Sequence, residues 1–294
     1  MLEQVSDNCD LCGCNEFKTL RQQRRIKHES VVVSSSSNTP LISKLSKCAE
    51  CDLVQVLPSN REDDLLIAYE TAIDETHSEN SSLRIRSFKR AMQKVLNSNS
   101  EISSNMTPRL VDIGCAGGEF PAVAASLGFD VVAFEPSRHL SEIGREKFKL
   151  DIRSSAFDRN QFGESSIDIV TLWDVLEHVD SPRDLLTDVM WVIKPGGFLI
   201  LNLPMIDTFT ARVLRYRWPF YLHVHLYYFT NKTIRRFLEQ FGGEIILVKS
   251  YSQTLSTKYL VRRATGGRVK NFAVNLPMRY WLGQRTVVVR INER

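Results

Sequence analysis

The chain lacks three features that would place it in a membrane, in a secretory pathway or on a nucleic acid. Its apolar runs are far shorter than the ~20 residues of a membrane-spanning helix. Its N-terminus, MLEQVSDNCD, has no apolar block of the kind found in a secretory signal, which predicts a cytoplasmic protein. Its 38 basic residues are nearly balanced by 34 acidic ones, and this net charge of +4 does not favour a nucleic-acid partner.

Cysteine is scarce, with six residues in 294. The motifs CDLC and CAEC supply four of them, which are Cys9, Cys12, Cys48 and Cys51. Two thiols separated by two residues can reach one metal ion, and four sulfur ligands favour tetrahedral zinc. The segment between the pairs has the pattern of strand, polar turn and strand, so we predict a zinc ribbon over residues 1–58.

The role of this ribbon has several interpretations. We favour structural support for a segment too short to build its own core. A reader of substrate or nucleic acid and a redox dithiol are the alternatives. Cys14 lies nearby, but its one-residue gap from Cys12 fits a metal knuckle poorly. No open position on the metal is indicated, so catalytic zinc is not expected.

Residues 59–105 are predicted to form a helical linker. Ser59 or Asn60 is suited to cap a helix after the proline turn. Apolar residues recur at helical spacing over 82–96, which predicts a further helix there. The cations of that helix could bind an anion, but a solvated helix face is the favoured interpretation.

Strand and helix patterns alternate over residues 106–294, which predicts an α/β domain with a doubly wound parallel sheet. Five strands are predicted at RLVDIG, DVVAFEPS, LDIRSS, SIDIVTLW and FLILNLP, and QRTVVVRI is predicted to add a last, antiparallel strand. The helix before FLILNLP has a clear start, because Ser181 can cap it and Pro182 suits its first turn. Pro195 and the two glycines after it are predicted to stop this helix.

A glycine-rich turn, GCAGG, follows the first of these strands. In a doubly wound sheet, ligands bind beyond the carboxyl ends of the strands, so this turn should lie at the site. The dinucleotide template G-x-G-x-x-G fails twice from Gly114, because Ala116 and Glu119 replace its second and third glycines. The charge of Glu119 would also oppose a pyrophosphate.

The turn resembles motif I, D-x-G-x-G-x-G, of class I S-adenosylmethionine-dependent methyltransferases. Asp112, Gly114 and Gly118 match this motif, and Ala116 replaces its middle glycine. The resemblance implies a Rossmann-like seven-stranded sheet whose last strand is antiparallel, with S-adenosylmethionine as cofactor. That cofactor carries a sulfonium and no phosphate, which suits a turn flanked by acids.

Further segments of the family pattern follow in order over about residues 107–205. Glu135 ends the second strand, 17 residues after Gly118, where a carboxylate can accept hydrogen bonds from both ribose hydroxyls. The resemblance implies additional cofactor contacts from Pro136, Ala156, Phe157, Trp173 and Asp174.

The N-terminal segment KCAECDLVQVLPSNREDDLLIAYE resembles the ribbon-and-helix preface of methyltransferases that often act on sugars or other small molecules. That group usually has Gly where this chain has Asp52. The segment HVHLYYFTNKTIRRFLEQFGGEI resembles the group's histidine and aromatic segment, which extends the resemblance to about residue 246. The resemblance implies a small-molecule acceptor, such as a sugar or sugar conjugate.

Methyl transfer is an in-line displacement at the sulfonium carbon, so the protein must align the acceptor and remove a proton from it. His178, His223 and His225 are the candidate bases, because histidine titrates near neutrality. Tyr227 follows His225 closely and is a further candidate catalytic residue. A packing or hydrogen-bonding role is the alternative for each histidine.

Residues 205–230 are predicted to form a lid-like insertion over the acceptor. Its cations and aromatic residues could hold an anionic or glycosylated acceptor. A solvated amphipathic helix explains the cations equally well. These residues are Arg212, Arg215, Arg217, Trp218 and Phe220.

Methyl transfer from S-adenosylmethionine to a small molecule is therefore the leading hypothesis. The first alternative is an RNA methyltransferase that uses its ribbon to hold RNA, which the lack of a continuous basic stripe disfavours. The second is a non-catalytic zinc-ribbon interaction protein, which the intact Asp112 and Glu135 disfavour. The sequence does not predict the acceptor, the methylated atom or the oligomeric state.

Overall fold

The computed structural model describes residues 7–21, 44–61, 80–103, 107–222, 224–264 and 274–292. The strands in chain order are β1 (Phe17–Arg21), β2 (Leu45–Cys48), β3 (Val54–Val56), β4 (Arg109–Ile113), β5 (Asp130–Phe134), β6 (Asp151–Arg153), β7 (Ile167–Trp173), β8 (Ile193–Pro204), β9 (Tyr227–Tyr228), β10 (Gly243–Ser250), β11 (Gln253–Ser256), β12 (Pro277–Tyr280) and β13 (Gln284–Ile291). The helices are α1 (Ser81–Ser98), α2 (Glu119–Ser126), α3 (Arg138–Phe148), α4 (Pro182–Val192), α5 (Phe209–Leu214), α6 (Asn231–Glu239) and α7 (Thr257–Ala264).

The largest sheet has seven strands in the order β10-β13-β8-β7-β4-β5-β6. Strands β4 to β8 pair in parallel, whereas β13 is antiparallel to both of its neighbours, β8 and β10. The predicted doubly wound sheet with an antiparallel last strand is therefore confirmed. The order of the parallel strands changes direction at β4, which puts the turn after β4 at the switch point.

The central strands are apolar along almost their whole length because helices cover both faces of the sheet. In β8, every residue from Phe198 to Pro204 is buried, and in β4 only Arg109 is partly exposed. Such strands lack the polar and apolar alternation of a half-exposed sheet, which is why their short apolar runs could be identified in the sequence.

Helix α4 begins as predicted and ends earlier than predicted. The Ser181 side chain accepts a hydrogen bond from the backbone amide of Asp184, and Pro182 occupies the first turn. The helix ends at Val192, and Ile193 already has an extended backbone. The reason is that a residue before proline disfavours helical geometry, so the chain leaves the helix before it reaches Pro195.

The N-terminal segment shares a sheet with the main domain. Strands β1, β2 and β3 form an antiparallel sheet whose fourth strand is β9, with Val54 opposite Tyr228 and Gln55 opposite Tyr227. The sequence did not predict this pairing, because it joins residues separated by more than 170 positions. It fixes the N-terminal segment to the stretch that carries His225.

Helix α1, predicted as part of a linker, belongs to a hydrophobic core of the main domain. Met92 and Val95 are fully buried. Phe88 packs edge-on against Phe120 and Trp173, with ring centroids 5.6 and 5.2 Å away. Helix α1 is therefore packed against the sheet and its first helix.

Several sequence-based expectations fall partly outside the described residues. Pro58–Asn60 form one turn of 3₁₀ helix, but the helix expected to follow lies at residues 62–79, which are not described. Most of the stretch between the two cysteine pairs and the candidate base His223 are also outside the described residues. The division into residues 1–58, 59–105 and 106–294 stays a prediction. Within the described ranges, every helix is too short or too polar to cross a bilayer.

Candidate active site

The glycine turn between β4 and α2 needs glycine at two positions. Gly114 and Gly118 have φ values of +72° and +80°, in the left-handed region. A Cβ atom on Gly118 would lie 2.8 Å from Ile152 Cδ1 and 3.3 Å from Gly144 Cα. A Cβ atom on Gly114 would lie 2.6 Å from Val175 Cγ2. The turn therefore lies tightly between α3 and the segment that follows β7.

Ala116, which replaces the middle glycine of the motif, also has a left-handed backbone with φ of 48°. This geometry costs an L-amino acid about 1–2 kcal/mol. The backbone amide of Ala116 donates a hydrogen bond to Glu135 Oε2 at 2.8 Å, which helps to hold the strained conformation. The turn therefore keeps a backbone suited to glycine although it carries a methyl group.

Glu135 lies at the end of β5 and is fully buried. Its second oxygen, Oε1, accepts a hydrogen bond from the Ser137 backbone amide at 2.8 Å. Burial raises the pKa of Glu135 from 4.5 to about 7, although the two backbone amides favour the ionised form. A carboxylate has about four lone-pair sites, so this side chain keeps acceptor capacity for a ligand.

Three carboxyl groups surround the turn. Asp112, Glu119 and Glu135 are 1%, 3% and 0% exposed. Asp112 accepts a 2.5 Å hydrogen bond from Thr171 Oγ1, while burial and the charge of Glu135 raise its pKa well above the usual range. Burial and all three of these carboxylates raise the pKa of Cys115. The arrangement is electrostatically unfavourable for a phosphate and favourable for a cationic ligand.

The predicted cofactor contacts Pro136, Ala156 and Phe157 have different environments. Ala156 is exposed, and Pro136 is partly buried between Glu135 and the first turn of α3. The Phe157 ring is partly buried, with its centroid 5.4 Å from that of Phe134 in an edge-on contact. Phe157 therefore presents an aromatic surface beside β5, the strand that Glu135 follows.

Trp173 ends β7, and Asp174 follows it next to the turn. The Trp173 ring is buried, and its centroid lies 4.8 Å from that of Phe120. Its Nε1 is buried and has no hydrogen-bond partner within the described part of the chain. The backbone of Asp174 is left-handed, with φ of 57°, and its Oδ1 accepts from Asn202 Nδ2 and Gln284 Nε2, each at 2.8 Å.

Burial raises the pKa of Asp174 to about 6, while its hydrogen bonds with Gln284 and Asn202 oppose the shift. Asn202 on β8 and Gln284 on β13 were not predicted from the sequence as site residues. Only the pairing of these two strands brings their amides to one carboxylate. A polar residue inside an apolar strand is the signal that could have identified Asn202.

Two of the candidate bases lie together beyond the end of β7. The rings of His178 and His225 are edge-on, with centroids 4.5 Å apart, and His225 is 3% exposed. His178 Nδ1 lies 2.9 Å from the Val224 carbonyl oxygen, so this nitrogen carries the proton and donates. Glu177, which was not predicted from the sequence, lies beside them and is 1% exposed.

Tyr227 does not present its hydroxyl to this pair. The hydroxyl donates to the Asp180 carbonyl oxygen at 2.8 Å and accepts from the Arg61 guanidinium at 2.8 Å. Burial raises the pKa of Tyr227 well above its usual range. These contacts give Tyr227 the geometry of a structural hydrogen-bonding residue. Tyr228 points to the other face of β9, with its ring centroid 6.0 Å from that of His225.

The predicted lid region contains α5 and the stretch up to β9. Trp218 is 2% exposed, and its Nε1 donates to the Leu282 carbonyl oxygen at 2.6 Å, which fixes the ring in the core. The Phe220 ring stacks near His225, with centroids 6.4 Å apart. The cations Arg212, Arg215 and Arg217 are exposed. Of the predicted acceptor contacts, Phe220 thus packs beside a candidate base.

The four cysteines of CDLC and CAEC come together at the N-terminal sheet. The Sγ atoms of Cys9, Cys12, Cys48 and Cys51 all lie within 4.8 Å of one another. Cys9 Sγ lies 3.4 Å from Cys51 Sγ, and Cys12 Sγ lies 3.6 Å from Cys48 Sγ. Four sulfur atoms at this spacing fit a tetrahedral zinc ion.

Comparison with known proteins gives a consistent family and fold. Residues 74–248, more than half of the chain, match the family model described as methyltransferase domain. A ubiquinone biosynthesis O-methyltransferase, mitochondrial, of Schizosaccharomyces pombe is 35% identical over 115 residues, which cover 36% of this chain and 41% of that protein. A ubiquinone biosynthesis O-methyltransferase of Xanthomonas campestris is 32% identical over 100 residues, which cover 32% of this chain and 42% of the relative.

These matches thus span less than half of the relatives' length. A crystal structure of an S-adenosylmethionine-dependent methyltransferase from Archaeoglobus fulgidus covers 74% of this chain and 100% of its own, with a TM-score of 0.51 and 14% identity. At this identity the likeness shows a shared fold.

Proposed function

We propose, because the chain belongs to the methyltransferase domain family, that it transfers a methyl group from S-adenosylmethionine to an oxygen of a small-molecule acceptor. The observation that carries this proposal is the buried Glu135 at the carboxyl edge of the sheet, hydrogen-bonded to the glycine turn at Ala116. An oxygen acceptor is supported by the relatives, whose names specify O-methyl transfer.

The residues around the turn fit this cofactor. Glu135 would accept hydrogen bonds from the ribose hydroxyls, and the buried acids Asp112 and Glu119 would favour the cationic end of the donor. The turn, Pro136, Ala156, Phe157, Trp173 and Asp174 would form the remaining cofactor surface. Trp173 Nε1 is a buried donor with no hydrogen-bond partner among the residues that the structure describes, which suits a polar ligand group.

The chemistry supplied by the cofactor is a methyl group on a positively charged sulfur. The acceptor oxygen would form a bond to the methyl carbon while the sulfur–methyl bond breaks, and the electron pair of the broken bond would stay on sulfur. The product, S-adenosylhomocysteine, has a neutral thioether. The proton of the acceptor hydroxyl passes to a base and then to water.

His178 and His225 are the proposed bases. They lie at the end of β7, beside the segment that leads to Phe220, so an acceptor bound there would meet an imidazole. Tyr227 is a weaker candidate because Asp180 and Arg61 engage its hydroxyl. A sugar or sugar conjugate remains one acceptor class within this proposal.

We further propose that the cysteine cluster binds structural zinc. The N-terminal sheet is small, and a metal would stabilise it where its own core is too small. The cytoplasmic location expected from the N-terminus stays a prediction, since the Schizosaccharomyces pombe relative is named as mitochondrial.

Calorimetry with S-adenosylhomocysteine tests the cofactor step. The full-length protein should bind it, Glu135→Ala should bind it much more weakly, and Glu164→Gln, an exposed surface change, should bind it as the wild type does. Equal binding by wild type and Glu135→Ala would contradict the role of Glu135. Lack of binding by the wild type would favour the non-catalytic interaction protein.

Binding to RNA separates the remaining alternative. A small-molecule enzyme should show little RNA affinity at physiological salt. Affinity that falls steeply with salt, as expected when several phosphates are neutralised, would favour an RNA methyltransferase. Ligands that co-purify with the protein, identified by mass spectrometry, would give the acceptor class.

A further inference from the structure

Glu177 is a buried carboxyl group beside the two candidate bases. It is 1% exposed, and neither Oε1 nor Oε2 has a hydrogen-bond partner in the described part of the chain. Burial, with the charge of Asp174, raises the pKa of Glu177 well above the usual range. Burying such a group costs free energy unless it is paired or bound to a metal ion.

Two imidazoles lie where a cation would satisfy this carboxyl group. One ligand atom from each of Glu177, His178 and His225 lies within 4.8 Å of the other two. A set of two imidazoles and one carboxylate is typical of zinc and other first-row divalent ions, which prefer nitrogen and oxygen donors of this kind.

Backbone hydrogen bonds hold these three side chains in place. The Glu177 carbonyl oxygen accepts from the backbone amides of Leu226 and Tyr227 at 2.8 and 3.2 Å, which fixes the segment of His225 against the end of β7. The donation from His178 Nδ1 to the Val224 carbonyl oxygen places the ring's acceptor lone pair on Nε2. Metal-binding histidines usually have such a second hydrogen bond to a carbonyl or carboxylate, because it fixes the tautomer and ring orientation.

We propose that Glu177, His178 and His225 bind a first-row divalent cation of the zinc type, at a site separate from the four cysteines. Three protein ligands leave at least one coordination position open, which is the arrangement of catalytic rather than structural zinc. His178 is only partly buried and the Phe220 ring lies next to His225, so the open position faces the predicted acceptor side.

The use of this cation in catalysis depends on the proposed methyl transfer. A bound divalent cation acts as a Lewis acid and lowers the pKa of an oxygen that reaches it. An acceptor hydroxyl would then lose its proton to water near neutral pH, and His178 and His225 would hold the cation instead of accepting that proton. This deepens the proposed function by indicating an acceptor whose reactive oxygen can coordinate a metal ion.

Metal content and Co²⁺ binding test the site directly. Full-length protein equilibrated with Zn²⁺ and freed of unbound metal should contain two equivalents, one of them in the cysteine cluster. Glu177→Gln and His225→Asn should each contain one, and Glu164→Gln, a control at an exposed glutamate, should contain two. In a Co²⁺ titration, Glu177→Gln and His225→Asn should bind the ion at the second site more weakly than the wild type does. The loss should exceed the roughly 10- to 100-fold effect of removing a residue that only hydrogen-bonds to a metal ligand.

Thermal melting in the presence of a chelator distinguishes the loss of a metal ligand from the loss of the folded structure. Without metal, Glu177→Gln should melt at or above the wild-type temperature, because it removes a buried ionisable group. Added Zn²⁺ should then raise the melting temperature of the wild type more than that of the variant. One metal equivalent in the wild type, or two in Glu177→Gln, would overturn the proposal.

The same samples also keep this proposal distinct from the methyltransferase proposal. Binding of S-adenosylhomocysteine together with a single metal equivalent would remove only the metal site. Two metal equivalents without binding of S-adenosylhomocysteine would leave the metal site intact and count against methyl transfer.

Discussion

The Glu135 carboxylate accepts a hydrogen bond from the backbone amide of Ala116 at 2.8 Å. This contact joins the acid at the end of β5 to the strained centre of the glycine turn. Because Glu135 is fully buried, its protonation and the geometry of the turn are linked. Cofactor binding, turn conformation and pH should therefore depend on one another.

The affinity for S-adenosylhomocysteine should fall as the pH drops below about 7. Burial raises the pKa of Glu135 to about 7, and the ribose hydroxyls would donate to its ionised form. The expected slope approaches about tenfold per pH unit for one linked proton. Calorimetry between pH 5 and 8 would measure it, and Glu135→Gln should lose most of the slope. Asp174, with a pKa of about 6, would account for the pH dependence of affinity that remains in this variant.

The same shift has an opposite effect on folding. The folded protein holds the Glu135 proton more tightly than the unfolded chain, in which the pKa is near 4.5. Ionisation of Glu135 therefore lowers the free energy of unfolding as the pH rises from 4.5 to about 7. If the wild type and Glu135→Gln show the same pH dependence of stability, the burial argument is wrong.

Ala116→Gly should stabilise the protein. The left-handed backbone at φ of 48° costs alanine about 1–2 kcal/mol, and glycine removes this cost. Glycine loses more backbone entropy on folding, which offsets about 0.5–1 kcal/mol of that gain. The net increase in the free energy of unfolding should therefore be about 0.5–1 kcal/mol. Urea unfolding would show a higher midpoint with an unchanged slope. Ala122→Gly is the matched control, because Ala122 lies within α2 and should lose stability.

Gly118→Ala should be strongly destabilising. The left-handed backbone contributes about 1–2 kcal/mol, and the new Cβ, 2.8 Å from Ile152 Cδ1, adds about 1–3 kcal/mol of overpacking. Gly128→Ala is the control, because Gly128 has φ of +92° but no atom within 4 Å of its Cβ position. Equal losses of stability in the two variants would show that the contact with α3 and β6 does not matter.

Tyr227→Phe should reduce stability by about 1 kcal/mol, the usual value of a buried hydrogen bond. It removes the hydroxyl that links Arg61 to the Asp180 carbonyl oxygen. Methyl transfer to an acceptor recovered from the protein should change little, because this hydroxyl is already engaged. A loss of about 100-fold or more would instead restore Tyr227 as a proton-transfer residue. Tyr228→Phe, on the opposite face of β9, is the comparison.

Cys51→Ser should remove one zinc equivalent and lower the melting temperature. Cys51 is fully buried and its Sγ lies 3.4 Å from Cys9 Sγ, so a serine there leaves three sulfur ligands. Elemental analysis of freshly purified, reduced protein would measure the metal. Cys14→Ser should keep its zinc, because Cys14 lies outside the group of four sulfur atoms. Equal metal content in the two variants would contradict the proposed ribbon.

Much of the fold could be predicted because its signals are local. The apolar strands, the Ser181 cap and the glycine turn are short patterns, and each determines the geometry of a few neighbouring residues. The antiparallel last strand followed from the family resemblance and is confirmed. The end of α4 was predicted too late, because Pro195 also restricts the residue before it.

The candidate site was predicted only in part, because several of its contacts are long-range. The sequence indicated His178 and His225 separately, but their 4.5 Å approach depends on the hydrogen bonds between Glu177 and the chain before β9. Glu177 gave no signal, since one acid in a loop usually faces solvent. For Tyr227 the reverse holds. Its position in an aromatic segment predicted a catalytic role, whereas its hydroxyl is engaged by Arg61 and the Asp180 carbonyl oxygen.

The sequence by itself determined the order of the strands and helices, the glycine turn with its flanking acids and the paired cysteines, since each depends on residues near one another in the chain. Only the tertiary structure decided that β3 pairs with β9, that Asn202 and Gln284 converge on Asp174, and that Glu177 is buried beside two histidines. These contacts join residues far apart in sequence, and they form only when the packing of the whole sheet offsets the entropy of bringing them together.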